Sequence, residues 1–386
     1  MREKGAGDEG HEIRPLTALR FGAALLVFLT HYSGLHYGHA AEAWQSIVIE
    51  GHAGVTIFFT LSGFLLALRY FPALAEGRFS AFDYFLRRGA RILPLYWVLL
   101  GLTLLVDALT PYQTYTPAPF MNWTLTQSYF SQIALSGIIV AWSLSVEESF
   151  YLIAPLILRS CVPHRSSLWA VLRTLALWAA ALWGTGWLLT RLSPALGLNA
   201  PYGFMDNLFV MAGYSVFGRG IDFCIGIFAG LLYLRYGRKL WAVPLPDAVA
   251  TALFVLGLLG LFGLQMVMNA AGGLESAWRL NPLIAFMAAC LILSLTRVRA
   301  PFSRLLNLRL PVYLGRISYA LYLLQATPLA ALVVAAIHPQ HVLALPFVLV
   351  NLCLMSAFFY EVVERPCRAG VLRLGAAVKG RWRRAH

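Results

Sequence analysis

The chain has 386 residues, of which 59% are hydrophobic and only 12% charged, with a formal net charge of +13. Soluble globular domains carry about twice that share of charged residues, so a water-soluble fold is excluded. The sequence reads as an all-α polytopic integral membrane protein whose basic excess marks topology and attracts anionic lipid, and nucleic-acid binding is not expected.

A membrane-spanning helix needs roughly 20 mostly apolar residues. About ten such segments follow one another, at 16–37, 47–68, 92–109, 137–158, 168–190, 218–234, 246–265, 280–296, 313–336 and 342–360. Lys and Arg of short connections collect on the cytoplasmic side. Here 26 of the 30 lie in the N-terminal tail (Arg2, Lys4, Arg14) and in the stretches 69–91, 159–173, 235–239, 297–316 and 365–384. The alternate connections, 38–46, 110–136, 266–278 and 337–341, hold none. Both termini are therefore expected in the cytoplasm, with residues 1–386 forming a single transmembrane domain and no appended soluble domain. Arg20 interrupts the apolar region that a secretory signal would need, which argues against one. The five cysteines (Cys161, Cys224, Cys290, Cys353 and Cys367) are scattered without Cys-x-x-Cys spacing, so they read as free thiols rather than a disulfide framework or a metal site.

Polar residues inside the spans carry the chemistry, because an ionisable group in lipid is costly and normally faces a protein interior. In the first span Arg20 and His31 are eleven residues apart, which brings both to one face with about 16 Å between them along the axis. Snorkelling for Arg20 and a helix-packing hydrogen bond for His31 are the simpler alternatives. The second span, "GVTIFFTLSGFLLALRY", places small residues at Gly54, Ser62 and Gly63, which permit close helix contact. Next, "FDYFLRRGARILPLYWV" puts Arg87, Arg88 and Arg91 at the cytoplasmic mouth of the third span. Guanidinium groups match phosphate oxygens in bidentate fashion, although a charge cluster that only orients the chain would look the same.

The fourth span, "AWSLSVEESFYLIAPLILR", contains Glu147 and Glu148. The two side chains are about 100° apart on a helix, so one cavity cannot receive both squarely. The alternative faces are Ser143, Glu147 and Tyr151, or Ser145, Glu148 and Leu152. A histidine, a carboxylate and cytoplasmic arginines suit acyl transfer, with an imidazole taking the proton of an attacking hydroxyl and a carboxylate fixing its tautomer.

These segments, with "GRISYALYLLQATP" and "EVVERPCR" further on, resemble membrane acyltransferase family 3 in the family's order and over nearly the whole chain. That family acylates cell-surface glycans and some small natural products. The resemblance implies catalytic roles for His31, Glu147 and Glu148, and donor binding by Arg20, Arg88 and Arg91. It also implies an acyl-CoA donor, most simply acetyl-CoA, arriving from the cytoplasm, and no metal. The acceptor would be a hydroxyl of a cell-surface or lipid-linked glycan, such as an exopolysaccharide or lipopolysaccharide, or a small alcohol such as a macrolide. Arginine- and alanine-rich usage fits a GC-rich bacterium and hence the cytoplasmic membrane. The chain departs from the family pattern at Thr56, where an acidic residue is common, and at Gln325, where a histidine is common. Ser318, Tyr319 and Tyr322 remain candidate lining residues, and Glu364 matches a terminal glutamate, with pairing to Arg365 or Arg368 as the alternative. A proton-coupled transporter or glycan flippase is the rival reading, but its usual internal repeat is not visible.

Overall fold

The computed structural model describes residues 13–32, 52–109, 118–243, 246–270, 274–297, 299–336 and 344–385. The main helices are α1 (Arg14–Tyr32), α2 (His52–Ala75), α3 (Ala81–Leu109), α4 (Trp142–Cys161), α5 (Leu168–Ala195) and α6 (Val216–Leu240). They continue as α7 (Pro246–Ala270), α8 (Leu274–Leu295), α9 (Arg309–Leu324), α10 (Pro328–Ala335), α11 (Ala344–Phe359) and α12 (Arg365–Ala385). Among the described residues there is no strand, only an isolated bridge between Phe130 and Phe204.

Nine helical runs of the described residues are long and apolar enough to cross a membrane, and ten if the bent pair α9–α10 is one span. Two predicted spans differ in kind. The segment predicted as one span at 313–336 turns by 90° between α9 and α10, where Pro328 opens the second helix and cannot continue the ladder of the first. The last span does not stop near 360. A helical run from Ala344 to Arg381 continues beyond it, because hydropathy registers only the apolar part of a helix that extends past the membrane. For the same reason α3 begins at Ala81 rather than at 92, so Arg87, Arg88 and Arg91 lie on the helix itself.

In lipid the association of helices rests on close packing rather than on expelling water, so small residues mark the tightest contacts. α2 is the central helix, packed against α1, α4, α6 and α8. A Cβ added at Gly63 would lie 2.2 Å from the Phe223 carbonyl, and one at Gly226 would lie 2.0 Å from that of Thr60, so α2 and α6 touch backbone to backbone. α9 meets α1 in the same way, with Gly315 against the Thr17 carbonyl at 1.9 Å for such an atom. The largest core cluster joins α2, α3, α4, α6 and α9, and all of these except α6, together with α1, surround the site.

At one end the segments 118–141 and 196–215 are laced into a cap. Ser131 N donates to Gly203 O at 2.9 Å and Met205 N to Tyr129 O at 2.9 Å. At the other end α12 lies along the start of α3, with Gly375 against Leu86 and Lys379 paired with Asp83.

Candidate active site

A cavity of about 50 Å³ lies between α1, α2, α3, α4 and α9, and its polar lining includes Arg20, Ser62, Arg91, Ser143, Glu147 and Tyr319. A larger one of about 240 Å³ sits by the α2–α3 turn, but its lining is mostly apolar, with Arg159 the charged member. The smaller cavity gathers the groups that chemistry needs.

Glu147 is anchored within it. Ser62 donates to Glu147 Oε1 at 2.7 Å, and the Tyr151 hydroxyl donates to the same oxygen from one turn along α4. Ser143, a turn in the other direction, also lines the cavity and lies 2.6 Å from the Tyr322 hydroxyl. Of the two faces open to α4, the one bearing Ser143, Glu147 and Tyr151 therefore meets the cavity. Glu148 turns away, its Oε1 enclosed without a hydrogen-bond partner and the charged groups facing it being Glu147 and Arg88.

The three predicted arginines separate. Arg20 and Arg91 line the cavity together, from α1 and α3. Arg88 does not line it. It is 7% exposed and held between aromatic rings, its guanidinium carbon 5.3 Å from the Tyr70 centroid and 5.1 Å from that of Tyr151, and it donates to the Tyr70 hydroxyl at 3.3 Å. Residues three apart on a helix differ by about 60° in direction, enough to send one guanidinium into the cavity and the other among the tyrosines.

His31 is not brought into this lining. It lies exposed near the end of α1, next to the buried Tyr32, whose hydroxyl donates to the Gln325 carbonyl at 2.6 Å. Gly54 packs against Ala23 and Val27, so the end of the cavity at Val55 stops roughly 9 Å short of His31 along the axis, at 1.5 Å per residue. Gln325 itself is buried at the α9–α10 bend, and neither polar atom of its side chain has a hydrogen-bond partner among the described residues. Tyr319 and Tyr322 also line the cavity, and the Tyr319 hydroxyl donates to the Ile92 carbonyl at 2.8 Å.

Two features of the site are not legible in the sequence. Ser62 reads there as a packing residue, yet its hydroxyl holds the carboxylate, and only the Glu147 period on α4 hinted that a partner helix must supply such a donor. Arg219 is one of the four basic residues that lie outside the basic stretches of the sequence. It is wholly buried on α6, paired with Asp222 at 2.8 Å, donating to Thr56 Oγ1 at 2.7 Å and lying 5.2 Å from the Phe59 centroid. Thr56, the departure from the expected acid, thus meets a guanidinium whose carboxylate comes from its own helix.

A family model described as an acyltransferase domain matches residues 14–360, which includes every one of these cavity residues. The chain belongs to acyltransferase family 3. It is 24% identical to the O-acetyltransferase OatA of Staphylococcus aureus over 355 residues, covering 87% of this chain and 55% of that protein. It is 30% identical to the acyltransferase MdmB of Streptomyces mycarofaciens over 252 residues, covering 62% of this chain and 61% of that protein. The chain thus spans little more than half the length of the relatives it matches. No solved structure matches it.

Proposed function

We propose that this multi-pass membrane protein is an O-acyltransferase of the bacterial cytoplasmic membrane, moving an acyl group, most simply acetyl, from cytoplasmic acyl-CoA to a hydroxyl of a cell-surface or lipid-linked glycan. The observation that carries this reading is the cavity in which two guanidinium groups meet a carboxylate already held by two hydroxyls, inside an acyltransferase domain. Arg20 and Arg91 supply positive charge for the anionic groups of the donor. His31 takes the proton of the acceptor hydroxyl as its oxygen attacks that carbonyl. The carbon–sulfur bond then breaks, and the proton passes from the imidazolium to the departing CoA thiolate, which leaves as the thiol. Glu147, fixed by Ser62 and Tyr151, orients the Arg20 and Arg91 guanidinium groups toward the donor. The donor enters from the Arg91 side and the acceptor from the His31 side, so the acyl end crosses the gap beyond Val55.

The name of OatA, an O-acetyltransferase, supports acetyl as the acyl group. A transporter would call for paired broken helices at corresponding positions; among the described residues one bent pair, α9–α10, is found.

The test incubates purified protein with acetyl-CoA labelled in the acetyl group, with and without lipid-linked glycan. Label should move to the glycan, and His31→Ala should abolish transfer while leaving membrane insertion intact. Label that never leaves acetyl-CoA would refute the donor reading, and near-normal product from His31→Ala would refute the role of that histidine.

A further inference from the structure

The helix that carries Glu364 changes its winding there. α11 and α12 form one helical run, but Tyr360–Glu364 winds as a π-helix. Pro366 cannot donate to the carbonyl four residues before it, and the ladder shifts register just ahead of it. Glu361 and Arg365 pair on the exposed side at 2.8 Å. Arg365 is therefore taken, and the pairing with Glu364 considered from the sequence does not form. Glu364 is only 8% exposed, and its Oε2 is enclosed without a hydrogen-bond partner. The turn packs against α3, the helix that carries Arg91, and Arg91, Arg368 and Arg20 are the basic groups whose charge acts on the Glu364 carboxylate, without an ion pair to Arg20 or Arg91 among the described residues. Arg91 and Arg20 are the two guanidinium groups of the cavity.

We propose that Glu364 is the resident counter-ion of Arg20 and Arg91: it balances their charge in the empty site and gives way to an anionic group of the acyl donor. This rests on the reading of the donor as an acyl-CoA. Two positive groups enclosed in a membrane domain are costly without a negative partner. Glu147 cannot serve as an exchangeable one, since its Oε1 accepts from hydroxyls on two helices. Glu364 Oε2 has no such anchor, and π turns recur where helices are adapted to function. A carboxylate in that place competes with every incoming anion, so a diphosphate, with its greater charge, displaces it where a single weak anion does not.

The test is calorimetric titration of the purified full-length protein with free CoA and, separately, with inorganic pyrophosphate. Glu364→Gln keeps the shape and removes the charge, so it should bind both anions more tightly than the wild type, by about tenfold. Glu364→Asp draws the carboxylate back by one methylene and should tighten binding by a smaller factor, which keeps the question decidable if the glutamine variant fails to fold. Unchanged or weaker pyrophosphate binding in the folded variants would overturn the counter-ion role. A wild-type chain that ignored CoA would instead overturn the donor reading alone, and the pyrophosphate comparison would still decide the role of Glu364.

Discussion

Ser62 on α2 and Tyr151 on α4 both donate to Oε1 of Glu147, with their own hydroxyl oxygens 3.5 Å apart. Hydrogen bonds to an ionised acceptor contribute about 1.5–3 kcal/mol each. Ser62→Ala and Tyr151→Phe should therefore each lower kcat/KM for acyl transfer by roughly 10- to 100-fold, while Ser62→Thr, which keeps the hydroxyl, recovers much of the loss. Wild-type kcat/KM in both hydroxyl-free variants would mean that the carboxylate needs no anchoring.

The neighbouring glutamates should behave differently. Glu147 lines the cavity and Glu148 does not, so Glu147→Gln should reduce transfer by more than about 100-fold, the scale of a lost acid–base or charge-stabilising group. Glu148→Gln should stay within about tenfold of the wild type. Equal losses at the two positions would contradict the assignment of one face of α4 to the cavity.

Arg88 and Arg91 separate by the quantity they disturb. Lysine keeps the charge but lacks the planar fork and its stacking on aromatic rings. Arg91→Lys, at a cavity position, should raise KM for the donor with little change in melting temperature. Arg88→Lys, between Tyr70 and Tyr151, should lower the melting temperature in detergent with little change in KM. The reverse pattern would return Arg88 to the donor site.

The Arg219–Asp222 pair is a structural element of α6, and removing one member strands the other. Asp222→Ala should destabilise the fold by about 3–5 kcal/mol, as breaking a buried ion pair does. The combined Arg219→Met and Asp222→Leu variant should melt nearer to the wild type, since no charge is left unpaired. Thermal unfolding in detergent distinguishes the two. A melting curve for Asp222→Ala equal to that of the wild type would deny the pair this role.

Orientation can be read with an impermeant thiol reagent. Cys367 is exposed at the start of α12, whereas Cys161 is buried. If basic connections face the cytoplasm, Cys367 in intact spheroplasts should stay unlabelled until the membrane is permeabilised, and Cys367→Ser should remove that signal. Labelling before permeabilisation would reverse the proposed direction of acyl flow.

The helical membrane class could be read from the sequence because lipid leaves a chain few choices: a run of apolar residues must satisfy its backbone within itself, and a helix does so. The polar residues within those runs stood out for the same reason, and Arg20, Arg91 and Glu147 do line one cavity. What tertiary structure alone decided is the direction of each side chain relative to other helices. Spacing left Glu147 and Glu148 equivalent, and the Ser62 hydroxyl on α2 distinguishes them. Composition made Arg88 and Arg91 alike, and the tyrosines of α2 and α4 enclose one of them. Arg219 and Asp222, three residues apart, pair along α6 itself, and what the tertiary structure adds is their burial, with the guanidinium against Thr56 and Phe59 of α2. The bend after α9 and the π turn before α12 also escaped the pattern, since hydropathy measures how apolar a segment is and is blind to the register of its hydrogen bonds.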